Sequence, residues 1–143
     1  MNLNFTISEF LKSTTAQDLG INNIPSGVII YDNLLNLIVH CLQPIRDKLN
    51  KPMIITSGYR CPKLNTALGG SITSHHVKGM ACDFVVNGLV VKAVCDFIQH
   101  SGIKYTQLIE EYSGKSCWFH ISYDKNNLKC ENLIYKNGKY IQR

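Results

Sequence analysis

Ser74-His75-His76-Val77-Lys78-Gly79-Met80-Ala81-Cys82-Asp83 is the stretch on which the reading of this chain turns. Residues 71–78 are polar and loop-like, and 81–86 read as a strand. A loop running into a strand can fold His76 and Asp83 toward one point, and Gly79 between them permits the tight bend. Further on stands Trp118-Phe119-His120. On a strand, Trp118 and His120 share one face while Phe119 and Ile121 point the other way. The two runs together offer two imidazoles and one carboxylate to a single divalent metal. Three protein ligands with one position open is the pattern of a catalytic rather than a structural zinc site.

Outward from these runs, the early chain reads as helical. Thr6-Ile7-Ser8-Glu9 is a capping box that opens a short helix to about residue 12. Residues 13–23 are polar and read as a connection. Pro25-Ser26 starts a second helix, with Ile29, Ile30, Leu34, Leu35, Ile38 and Leu42 on an apolar face. Pro44 should kink or restart it. Residues 53–56 read as a short buried strand, 64–68 as a short helix stopping at Gly69-Gly70, and 90–100 as a third long helix closed by Gly102. Strands follow at 106–110 and 116–123. A terminal hairpin over 132–141 turns at Asn137-Gly138. Helices early and strands late and close together predict one α+β domain over 1–143 with a mostly antiparallel sheet.

The composition narrows the function classes. At 45% hydrophobic and 17% charged residues, the chain is globular rather than disordered. Its net charge of +5 is scattered, with no basic stripe between aromatics, so no nucleic acid is expected as partner. An anionic polymer such as a bacterial cell wall fits the same sign. The cysteines at 41, 61, 82, 95, 117 and 130 contain no Cys-x-x-Cys pair. The opening Met-Asn-Leu-Asn-Phe-Thr lacks a basic region followed by an apolar run, so the expectation is cytoplasmic synthesis without a signal peptide, and reduced thiols. No apolar run suggests membrane insertion.

Ser74-x-His76-x-x-Gly79-x-Ala81-x-Asp83 followed by Trp118-x-His120 resembles the zinc D-Ala-D-Ala carboxypeptidase family of metallopeptidases, especially its small phage and bacterial members. The resemblance runs over about 5–123. It takes in Ser57-Gly58-Tyr59-Arg60-Cys61-Pro62, Leu64-Asn65, Gly69-Gly70 and Gln107-Leu108-Ile109. It implies a compact α+β fold shared with hedgehog-type domains, one catalytic zinc, and a peptidoglycan peptide as substrate. His76, Asp83 and His120 match the three zinc ligands; His75 fits the spacing less well and reads as a loop histidine or a supporting donor. Ser74 matches a serine that supports the site, with a cap or turn as its competing role.

A zinc peptidase also needs a base that is not a ligand. In some relatives an acid stands three positions before the last histidine, where this chain has Cys117. In the phage-type relatives it follows the Gln-Leu-Ile strand, which leaves Glu110 and Glu111. Period-two alternation lets only one face the metal, and the alignment favours Glu111. Arg60 matches an arginine that holds substrate or the developing oxyanion, with a structural ion pair as the alternative. Tyr59 packs beside Arg60 or lines the cleft, and Trp118 is a wall of the site or a plain core residue. Cys82 and Cys117 should point away from the ligands by parity; a cysteine nucleophile rests on proximity alone.

The expected function is hydrolysis of peptidoglycan stem or cross-link peptides by a monomeric enzyme, as carboxypeptidase or endopeptidase. It would act in phage lysis after release to the wall, or inside a host cell. The alternative is a non-catalytic peptidoglycan-binding or virion structural module of the same fold.

Overall fold

The computed structural model describes residues 2–143. The first helix, α1, spans Ile7–Leu11, and the Thr6 N–H donates to the Glu9 carboxylate at 2.6 Å, as the capping box requires. The connection expected over 13–23 instead contains a helix, α2, at Thr14–Leu19. Ser13 caps it by accepting from the Ala16 N–H, and Gly20 ends it in the left-handed region. Only Ala16 of this helix is buried, so it has no apolar periodicity to read.

The second predicted helix is continuous over Val28–Leu49 but changes gauge within. It comprises α3 (Val28–Leu37), a π-helical turn (Ile38–Leu42) and α4 (Gln43–Leu49). Pro44 has no N–H to give the carbonyl four residues back. The turn before it widens, and the Gln43 N–H donates to the Ile38 carbonyl. The proline therefore produces a π turn rather than a break. By length and composition alone this helix would pass for a membrane span. Leu34, Leu37, Ile38, Cys41, Leu42 and Ile45 are nevertheless all buried in the hydrophobic core.

Six strands form one sheet: β1 (Met53–Ser57), β2 (Ala81–Val86), β3 (Gln107–Ser113), β4 (Ser116–Ser122), β5 (Glu131–Lys136) and β6 (Lys139–Gln142). Their order is β1-β2-β4-β3-β5-β6. Every pairing is antiparallel except β3 with β5, so the fold is α+β with a mostly antiparallel sheet. Helix α5 (Pro62–Ala67) follows β1, and α6 (Val91–Gln99) lies between β2 and β3. Strand β3 is longer than its predicted segment and carries both Glu110 and Glu111 inside it.

The two faces of the sheet differ in chemistry. Met53, Cys82, Phe84, Val86, Leu108, Phe119 and Ile121 alternate onto one face and pack with Phe10, Leu34, Leu37, Ile38, Val94 and Ile98 from the helices. The other face receives Asp83, His120 and Glu111, the residues between those apolar ones. The burial that stabilises the fold thus also fixes the direction of the polar side chains. A one-residue slip would turn all of them over.

Candidate metal centre

Three elements converge on the polar face. The loop before β2 closes in a 3₁₀ turn, His75–Lys78, where the sequence reads only as loop. Ser74 caps it, accepting from the His76 N–H at 3.2 Å. The turn cap and the contact that holds the His76 backbone are therefore one. Gly79 leaves the turn at φ 70°, and a Cβ there would stand 2.8 Å from the Ile30 carbonyl oxygen. That close approach to α3 presses the turn down over the sheet. Strand pairing then sets Asp83 directly opposite His120.

His76, Asp83 and His120 are all buried, and each offers one ligand atom lying within 4.8 Å of the other two. The Asp83 Oδ1 is 3.0 Å from His120 Nδ1 and 3.3 Å from His76 Nε2. Ligands bound to zinc at about 2.0–2.1 Å in a tetrahedron stand roughly 3.4 Å apart, so the group has the right span. The Gly58 carbonyl lies 2.7 Å from His76 Nδ1. A carbonyl only accepts, so Nδ1 carries the proton and Nε2 presents its lone pair to the centre. The two imidazole rings lie edge to face at 5.0 Å. Burial alone would raise the Asp83 pKa, but the close His120 and His76 imidazoles outweigh that and hold it well below the ordinary carboxylate range. The site therefore sets an anionic carboxylate between two imidazoles, a set that suits a borderline cation such as zinc.

Around the triad, Arg60 directs Nη2 to Asp83 Oδ2 at 3.4 Å and Nε to the Ser57 hydroxyl at 3.1 Å. Its backbone N–H donates to the His76 carbonyl at 3.1 Å. The Arg60 turn and the His76 turn are thus stitched together. Glu111 brings Oε1 to 3.9 Å from His120 Nδ1, outside the triad itself. Burial, then the nearby Asp83 charge, raise its pKa, while His120 and Arg60 pull it back. Glu110 faces the helices, where it is 3% exposed and paired with Arg143 and the Tyr112 hydroxyl.

The structure distributes the remaining candidates as follows. Trp118 is half-buried beside Glu111 on the polar face. Tyr59 belongs to the hydrophobic core, with its N–H donating to the Phe10 carbonyl at 2.7 Å. His75 is half-buried, and its pKa is lowered first by burial and then by the neighbouring His120. Cys82 is buried in the core, and Cys117 is exposed.

Asn23 is the supporting residue that sequence reasoning did not reach. Its amide donates to the Leu11 and Tyr59 carbonyls and accepts from the Cys61 N–H at 2.7 Å, holding both sides of Arg60. It lies far from every motif, in a stretch that reads as a plain connection. The Gly58 carbonyl was invisible for another reason: a backbone acceptor leaves no mark in the residue type.

The family model described as Peptidase M15 matches residues 3–122, from before α1 to the end of β4. The match contains His76, Asp83, His120, Arg60 and Glu111, and it stops short of the β5–β6 hairpin. No curated protein matches the chain. With the spaced motifs and the buried His-Asp-His group standing inside the matched region, the chain belongs to the Peptidase M15 family.

Proposed function

We propose that the protein is a zinc-dependent peptidase that hydrolyses peptide bonds in peptidoglycan stem or cross-link peptides, as a D-Ala-D-Ala carboxypeptidase or endopeptidase. The observation that carries this reading is the carboxylate of Glu111, 3.9 Å from His120 yet outside the His76-Asp83-His120 group. A purely structural metal site has no use for a further acid at that position.

His76 through Nε2, Asp83 through its carboxylate and His120 through Nδ1 would hold the zinc. When bound, zinc supplies Lewis acidity toward a scissile carbonyl and lowers the pKa of water to about 7. Glu111 accepts the proton of the attacking water and later delivers one to the leaving amine. Its raised pKa suits both halves of that exchange. Arg60, braced by Ser57 and Asp83, is the cation at hand for a substrate carboxylate or the developing oxyanion. Trp118 walls the side of the cleft next to Glu111.

The test is release of amino acid or peptide from defined wall fragments by the zinc-loaded protein, with Glu111→Gln as control. Zinc binding with no cleavage of any wall-peptide linkage would replace this reading with a binding module of the same fold.

A further inference from the structure

The β5–β6 hairpin lies beyond the matched residues, yet its register continues the polar face of the site. Trp118 pairs with Glu111, Glu111 with Tyr135, and Tyr135 with Tyr140. Directly paired residues project to the same side of a sheet. One row therefore crosses four strands: an indole, the carboxylate of Glu111, and two phenols. Neighbouring strands are about 4.8 Å apart, so Tyr135 stands roughly 5 Å and Tyr140 roughly 10 Å from Glu111 across the sheet. The two tyrosine rings lie 4.8 Å apart between centroids. Tyr140 is 63% exposed, and Tyr135 is half-buried beside it on the neighbouring strand. The phenol of Tyr140 is raised in pKa first by burial and then by the charge of Glu111, which places the two groups in one electrostatic neighbourhood.

We propose that this row is a sugar-binding shelf, on which the exposed Tyr140 ring stacks against an amino-sugar ring of the glycan carrying the peptide while Tyr135, tilted 50° to it, flanks the same sugar. The inference rests on the wall-peptide reading above and names a second part of that substrate. The chemistry of the face selects the occupant. Tyrosine offers a flat apolar ring with a polar tip, which matches a pyranose with its apolar C–H face and rim of hydroxyls. The cations of the hairpin turn away. Lys136 and Lys139 pair with each other on the opposite face, where Lys136 lies 5.6 Å from the Tyr112 ring. The shelf is therefore uncharged beyond Glu111, and it suits a neutral sugar better than a peptide carboxylate. Continuity with the metal site sets its place: a ring on the shelf leaves its attached peptide one or two strands from Glu111.

The experiment uses the single tryptophan, Trp118, as reporter at the end of the row. Its fluorescence is followed during titration of the protein with a β-1,4-linked N-acetylglucosamine tetramer, and separately with a free stem peptide. The expected result is a saturable change with the sugar. Tyr140→Ala weakens it about tenfold, the scale of one lost stacking contact. Tyr140→Phe binds within about twofold to threefold, because the ring remains. Lys139→Ala on the opposite face binds as the wild type does. Circular dichroism of each variant checks its fold. Absence of a saturable change with the sugar overturns the proposal. So does an affinity that Tyr140→Ala leaves unaltered, or a Tyr140-dependent response to the free peptide alone. Hydrolysis of wall peptides is read separately. Sugar binding without hydrolysis supports the shelf and counts against the peptidase reading alone.

Discussion

Glu110 and Glu111 are consecutive in β3, and the sheet sends them to opposite worlds. Glu110 is buried against the helices in an ion pair with Arg143, and Glu111 looks across at His120. Two substitutions of the same kind should therefore have unlike effects. Glu111→Gln is expected to lower kcat by about 10²–10⁴ while zinc content stays stoichiometric, since a general base contributes on that scale. Glu110→Gln is expected to leave turnover near wild type. It should cost about 2 kcal/mol of stability, because it weakens a charged hydrogen bond to a buried guanidinium. Steady-state kinetics and urea unfolding of the two variants check both statements. A Glu110→Gln protein that is stable but inactive would reverse the assignment.

The acid side of the pH profile follows from the same residue. Burial and the Asp83 charge raise the pKa of Glu111. A base works only when ionised, so activity is present above its pKa and lost as pH falls through it. The acid limb of kcat/KM should lie above the ordinary glutamate value of about 4.3. Zinc content is followed over the same range by metal analysis. A limb that tracks zinc loss belongs to loss of the metal, and the role given to Glu111 then fails.

Metal affinity should be graded by shell. His120→Ala removes a ligand and is expected to abolish stoichiometric zinc binding. Ser74→Ala removes only the acceptor that holds the His76 N–H, so it should weaken zinc by roughly 10-fold. Competition against a chromogenic chelator measures both. Equal losses in the two variants would mean that Ser74 supports the fold rather than the site.

The thiols divide by burial. Burial pushes Cys95 up to about 12 and raises Cys41 and Cys82 as well. In the native protein at pH 8 these three should resist alkylation and react only after unfolding. Cys117 is exposed and should label first. Timed labelling with mass spectrometry reads the order directly, and early labelling of Cys82 would contradict the packing of β2.

Gly58 gives a steric prediction. A Cβ at this position would lie 2.4 Å from the Phe10 carbonyl oxygen, with backbone on both sides of the clash. Gly58→Ala should destabilise by about 1–3 kcal/mol, the usual cost of overpacking. It should also weaken zinc, since the Gly58 carbonyl orients His76. A shift in stability with unchanged zinc affinity would show that His76 does not depend on that carbonyl.

Much of this was legible because side-chain pattern and strand geometry agree. Strand alternation puts Trp118 and His120 on one face, and the structure pairs His120 directly with Asp83. Parity likewise sends Cys82 into the core. What escaped reading was held by other means. Helix α2 rests on a Ser13 cap and a Gly20 stop with one buried residue, too little apolar signal to detect. Pro44 widens its helix instead of breaking it, because the flanking apolar stripe is anchored in the core on both sides. Tyr59 stands beside Arg60 in sequence, and its ring is packed in the core. Asn23 works through backbone groups of distant segments, and single-residue chemistry cannot announce that.

The bridging position of Asp83 also bears on how the protein assembles. Its partner His120 is 37 residues away in sequence, and the two meet only when β2 and β4 have paired. Such non-local pairing forms slowly, after local helices have condensed. A metal captured by this group would bind a late product of folding and add little to the rate at which the chain collapses. Its effect would fall on the return path, slowing escape from the native state. Zinc should lengthen the lifetime of the folded protein more than it shortens the time needed to reach it.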